Sequence, residues 1–122
     1  MVTQVDFLDE VMSRDGMVGT SRLAKVLHIT KKELAAMTAL SVDAVSKRTR
    51  VKARVTQARL RDTVEIINRV STWSGSPGRA FAWFRSQPLP SFGDKTAEDL
   101  LKEGRAEDVK AYLSRIVEGG YA

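Results

Sequence analysis

Apolar residues recur three and four positions apart along almost the whole chain, and nowhere do they alternate with polar residues in twos. Spacing of this kind lays side chains along one face of a helix, whereas a half-buried strand needs a period of two. The pattern predicts an all-α fold. Val5, Leu8 and Met12 open it, and Asp15-Gly16 breaks it. Gly19-Thr20-Ser21 offers the next cap, followed by the stripe Leu23, Val26 and Leu27. Thr30-Lys31-Lys32-Glu33 is a capping box: the threonine oxygen accepts from the amide three residues on while the glutamate reaches back. That helix runs to about Met37, and Ser41 caps another that begins with Val42 to Arg48.

Thr56 to Ser74 is the longest pattern, with Leu60, Val64, Ile67 and Val70 or Ser71 on its stripe and Gly75 at its end. Ser76-Pro77 is a cap followed by proline at the first helical position. The helix it opens carries Phe81, Trp83 and Phe84. Two prolines and a glycine make Gln87–Lys95 a loop. Thr96 caps a short helix with Glu98 and Asp99 in its first turn, where acids suit the helix dipole. Ala106, Val109, Leu113, Ile116 and Val117 stripe the last helix. Seven or eight helices are expected, with Leu60, Val64, Ile67, Phe84, Leu100, Leu113 and Ile116 in the core. The expected regions are an N-terminal helical arm at 1–19, a helix-turn-helix region at 20–74 and a C-terminal domain at 75–122.

The residues for catalysis are missing. With no cysteine, disulfides and thiolate metal sites are excluded, and a reducing compartment fits. The first ten residues carry acids where a secretory leader has a basic start and an apolar run, and no stretch approaches the length of a membrane span. A cytoplasmic protein is therefore expected. His28 is the one histidine, so neither a Ser-His-Asp set nor a histidine metal site can be assembled. Glu98-Asp99, Glu103 and Glu107-Asp108 read as caps and solvating charge, because an acid/base pair needs burial to separate its pKa values. No catalytic residue, cofactor or metal is expected. The chain should act by binding.

Charge points to one partner. The net charge is +5, and its whole excess lies in residues 41–70, which hold eight basic and three acidic side chains. Such a cluster is often only a solvated face. Here it directly follows a helix-turn-helix pattern over 31–50, with Ala35 at the helix crossing and Leu40 and Val45 as apolar plugs. Thr38 and Ala39 stand where an apolar residue and a glycine are commoner, and Arg48 replaces a late apolar position. That context favours DNA. Ser41 caps the reading helix, Asp43, Ala44, Ser46 and Lys47 lie where base edges would be met, and Arg48, Arg50, Lys52 and Arg54 are placed to hold phosphates. Two-fold symmetry of an operator would pair two copies, so a homodimer is expected, with Ile66 and Val70 as its candidate face.

The run Ala82-Trp83-Phe84-Arg85-Ser86-Gln87-Pro88-Leu89-Pro90-Ser91-Phe92-Gly93-Asp94-Lys95-Thr96-Ala97-Glu98-Asp99-Leu100-Leu101, then Gly104 and the ending Leu113 to Ala122, resembles the toxin-binding domain of the Xre/MbcA/ParS antitoxins. The segment from Glu33-Leu34-Ala35 through Leu40-Ser41 to Lys47-Arg48 is similar to that family's Xre-like helix-turn-helix. Asp94 departs from the family, where a second glycine is usual. The resemblance implies a non-enzymatic type II antitoxin whose partner is a RES-domain toxin, a kind that consumes NAD or transfers ADP-ribose from it. It also implies that the antitoxin covers the toxin's NAD cleft, partly with its C-terminal tail, and represses its own operon. Trp83, Arg115, Glu118, Gly119, Gly120, Tyr121 and Ala122 are the toxin-binding candidates. A cleft built for NAD phosphates should be electropositive, and Glu118 with the terminal carboxylate on a Gly-Gly tether would suit it. Two other readings remain: a free-standing helix-turn-helix regulator with a C-terminal dimerisation domain, and a structural nucleic-acid-binding protein without sequence preference.

Overall fold

The computed structural model of the chain describes residues 6–118. Among them lie the helices α1 (Phe7–Val11), α2 (Thr20–Leu27), α3 (Lys31–Thr38), α4 (Val42–Ser46), α5 (Arg48–Val51), α6 (Arg54–Ser74), α7 (Pro77–Ser86), α8 (Ala97–Lys102) and α9 (Ala106–Glu118), with a 3-10 turn at Pro90–Phe92. No strand occurs among the described residues, only two isolated bridges, Met12 with Val18 and Leu89 with Lys95. The all-α expectation holds. The chain forms two compact units, 1–64 and 65–122. Their boundary falls inside α6, whereas the glycine at 75 suggested one at the helix end.

In the first unit α1 packs on α2, α2 on α3 and α3 on α4. Phe7, Val11, Val18, Leu23, Leu27, Leu34, Met37, Val45 and Leu60 are buried. The buried face of α1 is not the expected Leu8/Met12 one, since Leu8 and Met12 are only half-buried. Phe7 and Val11 stand four apart and put a larger side chain inside. Within the segment expected to form an arm, Val11 and Val18 are buried in this unit. The capping box is present: Thr30 Oγ1 accepts from the Glu33 amide at 3.0 Å and Glu33 Oε1 from the Thr30 amide at 2.8 Å.

Gln57 fastens three segments of this unit. Its carbonyl accepts from the Val18 amide at 2.8 Å, and its amide donates to Val18 O at 3.2 Å and Val51 O at 2.9 Å. A buried glutamine with every bond made is net favourable, at about 1 kcal/mol per bond. Thr38 also becomes intelligible: it is fully buried, and its hydroxyl donates to Leu34 O at 2.7 Å, so a polar residue fits an apolar position.

In the second unit α7 packs on α8 and α8 on α9. Ile66, Ile67, Val70, Ala80, Phe84, Leu89, Leu100, Leu101, Val109 and Leu113 are buried. Two expectations are corrected here. Ile66 and Val70 are both fully buried and so cannot form an exposed dimer face. Ile116, expected in the core, is only half-buried. The 87–95 loop is anchored through Leu89, which is fully buried and whose amide donates to Lys95 O at 3.0 Å while its carbonyl accepts from the Asp94 amide at 3.0 Å. Gly93 and Asp94 both adopt left-handed backbone, φ 66° each. Aspartate tolerates that region better than most residues, which lets it occupy the family's glycine position.

Candidate nucleic-acid interface and toxin-binding surface

Residues Ala39–Ser41 form the turn between α3 and α4, and Ala39 is left-handed at φ 58°. Glycine is commoner at such a turn because it has no Cβ to clash. Ser41 caps α4 as expected, its hydroxyl accepting from the Ala44 amide at 3.0 Å. Asp43, Ser46 and Lys47 are exposed on α4 or at its end, and Asp43 pairs with Lys47 at 3.5 Å. Ala44 is buried, so its methyl belongs to the core and is not free to meet a base. Val42, which sequence reasoning passed over, is 48% exposed at the start of α4. Its signal was the 42/45 pair: Val45 faces inward, and a residue three positions earlier at the helix start need not follow it.

The reading helix is shorter than its pattern suggested. Lys47 is extended at φ −87°, ψ 126°, which ends α4 after five residues and starts α5 as a separate turn. In one unbroken helix Arg48 would sit over Lys52 and Arg50 over Arg54, and like charges at that spacing destabilise a helix. Arg48, Arg50, Lys52 and Arg54 are all exposed. Arg59 and Arg61, also counted in the basic run, serve the fold: Arg59 donates to Thr38 O at 2.8 Å and Arg61 to Gly16 O at 3.0 Å.

An open groove of about 490 Å³ lies within the first unit, between the 13–22 segment and the α4–α5 segment. Arg22, Lys31, Arg48 and Lys52 line it, and Asp15 is its acid. Hydrogen bonds from the Ser13 hydroxyl and then the Met17 amide, with the Lys52 charge nearby, hold the Asp15 carboxyl below its ordinary value. Arg22 and Lys31 were not singled out from sequence, because they lie outside the dense basic run.

The second unit uses its charges differently. Glu98, read from sequence as solvating charge, is buried and accepts from Arg85 Nε at 2.9 Å, with Lys102 at 3.2 Å. Arg85 also lies over the Phe81 ring, 5.2 Å from its centroid. Lys110 bridges Glu65 at 3.1 Å and Glu107 at 3.0 Å, while Arg69 pairs with Glu65 at 2.7 Å. Lys95 pairs with Glu103, and Arg105 joins Asp108 at 2.8 Å while lying over Phe92, which packs edge-on against Tyr112. The contacts of Lys95 and Phe92 hold the 87–95 loop against the end of α8 and against α9.

Trp83 is half-buried and meets Trp73 edge-to-face, with ring centroids 5.9 Å apart. Trp73 is 46% exposed, so the pair forms an aromatic ridge at the surface. Trp73 lies off the apolar stripe of α6, which is the sequence signal for its exposure. Arg115 is exposed on α9. The remaining toxin-binding candidates, Glu118, Gly119, Gly120, Tyr121 and Ala122, lie outside the described side chains. Among the described residues no three of His, Cys, Asp and Glu gather to hold a metal, and no helix is long and apolar enough to cross a membrane.

The described residues form an all-helical protein of two compact units, the first with several exposed cations and the second rich in ion pairs. Its fold resembles that of a chain in the crystal structure of the M. tuberculosis MbcT–MbcA toxin–antitoxin complex, with TM-score 0.59 and 20% identity over 85% of this chain and 95% of that one. Residues 70–119 match the model described as the antitoxin Xre/MbcA/ParS C-terminal toxin-binding domain. A comparison with curated protein sequences gave no match.

Proposed function

We propose that this protein is the antitoxin of a type II toxin–antitoxin pair, that it neutralises a RES-domain toxin by covering its NAD cleft, and that it represses its own operon. The observation that carries the reading is the match of residues 70–119 to the antitoxin toxin-binding domain model. The exposed Trp73–Trp83 ridge supports it, since half-exposed aromatics are common anchors in protein interfaces. Arg115 and the segment Glu118–Ala122 complete the proposed toxin-binding set. The role is non-enzymatic and the setting cytoplasmic. Ser41, Asp43, Ser46 and Lys47 face the operator, with Arg48, Arg50, Lys52 and Arg54 on its phosphates. Two copies act together, through a face other than Ile66 and Val70.

The test is growth of cells expressing the toxin encoded beside this gene, rescued by the full-length chain or by a chain lacking Gly119–Ala122. Full-length rescue with lost or reduced rescue by the truncated chain is expected, with unchanged helicity and melting. Failure of the full-length chain to bind the toxin in a pull-down would overturn the reading. Equal rescue and affinity would move toxin contact from the tail to the Trp83–Leu101 region.

A further inference from the structure

The cations that line the groove of the first unit differ from most cations of the second unit in what they touch. In the second unit Arg69, Arg85, Lys95, Lys102, Arg105 and Lys110 each meet a carboxylate. In the first unit Lys31 and Arg48 have no hydrogen bond or ion pair among the described residues. Lys52 is charge-coupled to Asp15, and Arg22 has one bond, from Nη1 to Met12 O at 3.3 Å, leaving its other donors available. All four line the groove described above, which is open to solvent and holds one acid whose oxygen is engaged by Ser13 and by the Met17 amide at 3.2 Å. Four cations around one acid repel one another until an anion enters. The groove is also bordered by Ser46, at the end of the reading helix.

From this we propose that the groove is a binding site for a phosphodiester strand of duplex DNA, with Arg22 and Lys31 as contacts additional to Arg48 and Lys52. The site rests on the reading of the first unit as a DNA binder. A strand fits better than a free anion because the cations come from separate segments, the 13–22 stretch, α3 and α5, and the groove adjoins α4. Successive phosphates of a strand passing α4 would be met by cations on both walls. Contacts of this type fix the protein's position on the duplex without reading sequence.

The test measures binding of the full-length chain to a fluorescein-labelled 24-base-pair mixed-sequence duplex across a salt series. Each phosphate contact contributes about 0.9 to the slope of log K against log salt. Arg22→Ala/Lys31→Ala should flatten the slope by about 1.8 and weaken binding at low salt. Lys25→Ala/Lys32→Ala is the matched control: it removes the same charge from α2 and α3 at exposed residues outside the groove, and should change the slope far less. Arg22→Lys/Lys31→Arg should restore the slope, and melting curves verify folding of each variant. Equal slopes for the two alanine pairs would overturn the proposal by reducing the groove to general charge. If Arg50→Ala/Arg54→Ala flattens the slope while Arg22→Ala/Lys31→Ala does not, the DNA reading stands and the groove site falls. A wild-type chain that does not bind the duplex even at low salt would remove both.

Discussion

Ala39 occupies left-handed backbone, where an L-residue with a Cβ is strained by about 1–2 kcal/mol. Ala39→Gly should therefore stabilise the protein by about 0.5–1 kcal/mol after the extra chain entropy of glycine is deducted, a gain visible as a higher melting temperature. A drop in stability would mean that the alanine methyl makes a compensating contact. Glu98 is the opposite case, a buried carboxylate with two cationic partners. Arg85 and Lys102 are both about 40% exposed, so water screens them when the acid is removed. Glu98→Ala should cost about 1–2 kcal/mol, below the cost of breaking a wholly buried pair. A double-mutant cycle with Arg85→Ala should recover a coupling of about 0.5–1 kcal/mol, and zero coupling would leave the pair without a stabilising role.

Helix starts were the most legible elements in the sequence. Thr30, Ser41, Ser76 and Thr96 all cap where expected, because a cap is a contact over three residues and is written locally. The break at Lys47 was not legible, since the 42–48 pattern remains helical in spacing while repulsion among its cations acts across the next turn. Burial on α9 was mostly legible: Leu113 was expected inside and is, so Leu113→Ala should cost about 2–5 kcal/mol in a denaturant melt. Ile116 is half-buried and should cost clearly less when truncated. The tie between α6 and α9 should be acid-sensitive. Burial alone raises the Glu65 carboxyl, but hydrogen bonding and charge from Lys110, and then Arg69, outweigh it and hold the group below its ordinary 4.5. Stabilisation from a lowered carboxyl is complete above that ordinary value and fades as pH falls through the lowered one. Melting temperature should thus decline below about pH 4.5, and Glu65→Gln should show a shallower decline. Parallel curves would assign acid lability elsewhere, Glu103 beside Lys95 being the next candidate.

For the whole molecule, charge location was readable and charge use was not. The basic excess of 41–70 falls on its residues in the first unit, yet Arg59 and Arg61 bond backbone carbonyls. Arg22 and Lys31 reach the groove from sequence positions far from that run, and only folding brings them beside Arg48 and Lys52. Replacing Arg48 and Arg50 with alanine should weaken all duplexes similarly and flatten the salt slope by roughly two units. An unchanged slope would return these residues to the role of solvating charge.

The brevity of α4 has a consequence for how such a protein finds its site. Five residues advance about 7.5 Å, and base pairs follow one another every 3.4 Å or so, so one copy inspects about two of them. A two-letter word recurs by chance about once in sixteen steps along any genome, too often to mark an address. If the chain reads an operator as proposed, selectivity would come from how many copies stand side by side and how far apart they are held. On that reading occupancy of the promoter would rise steeply with the amount of protein present, so the same shortness that weakens a single copy would make several copies together a gauge of their own supply.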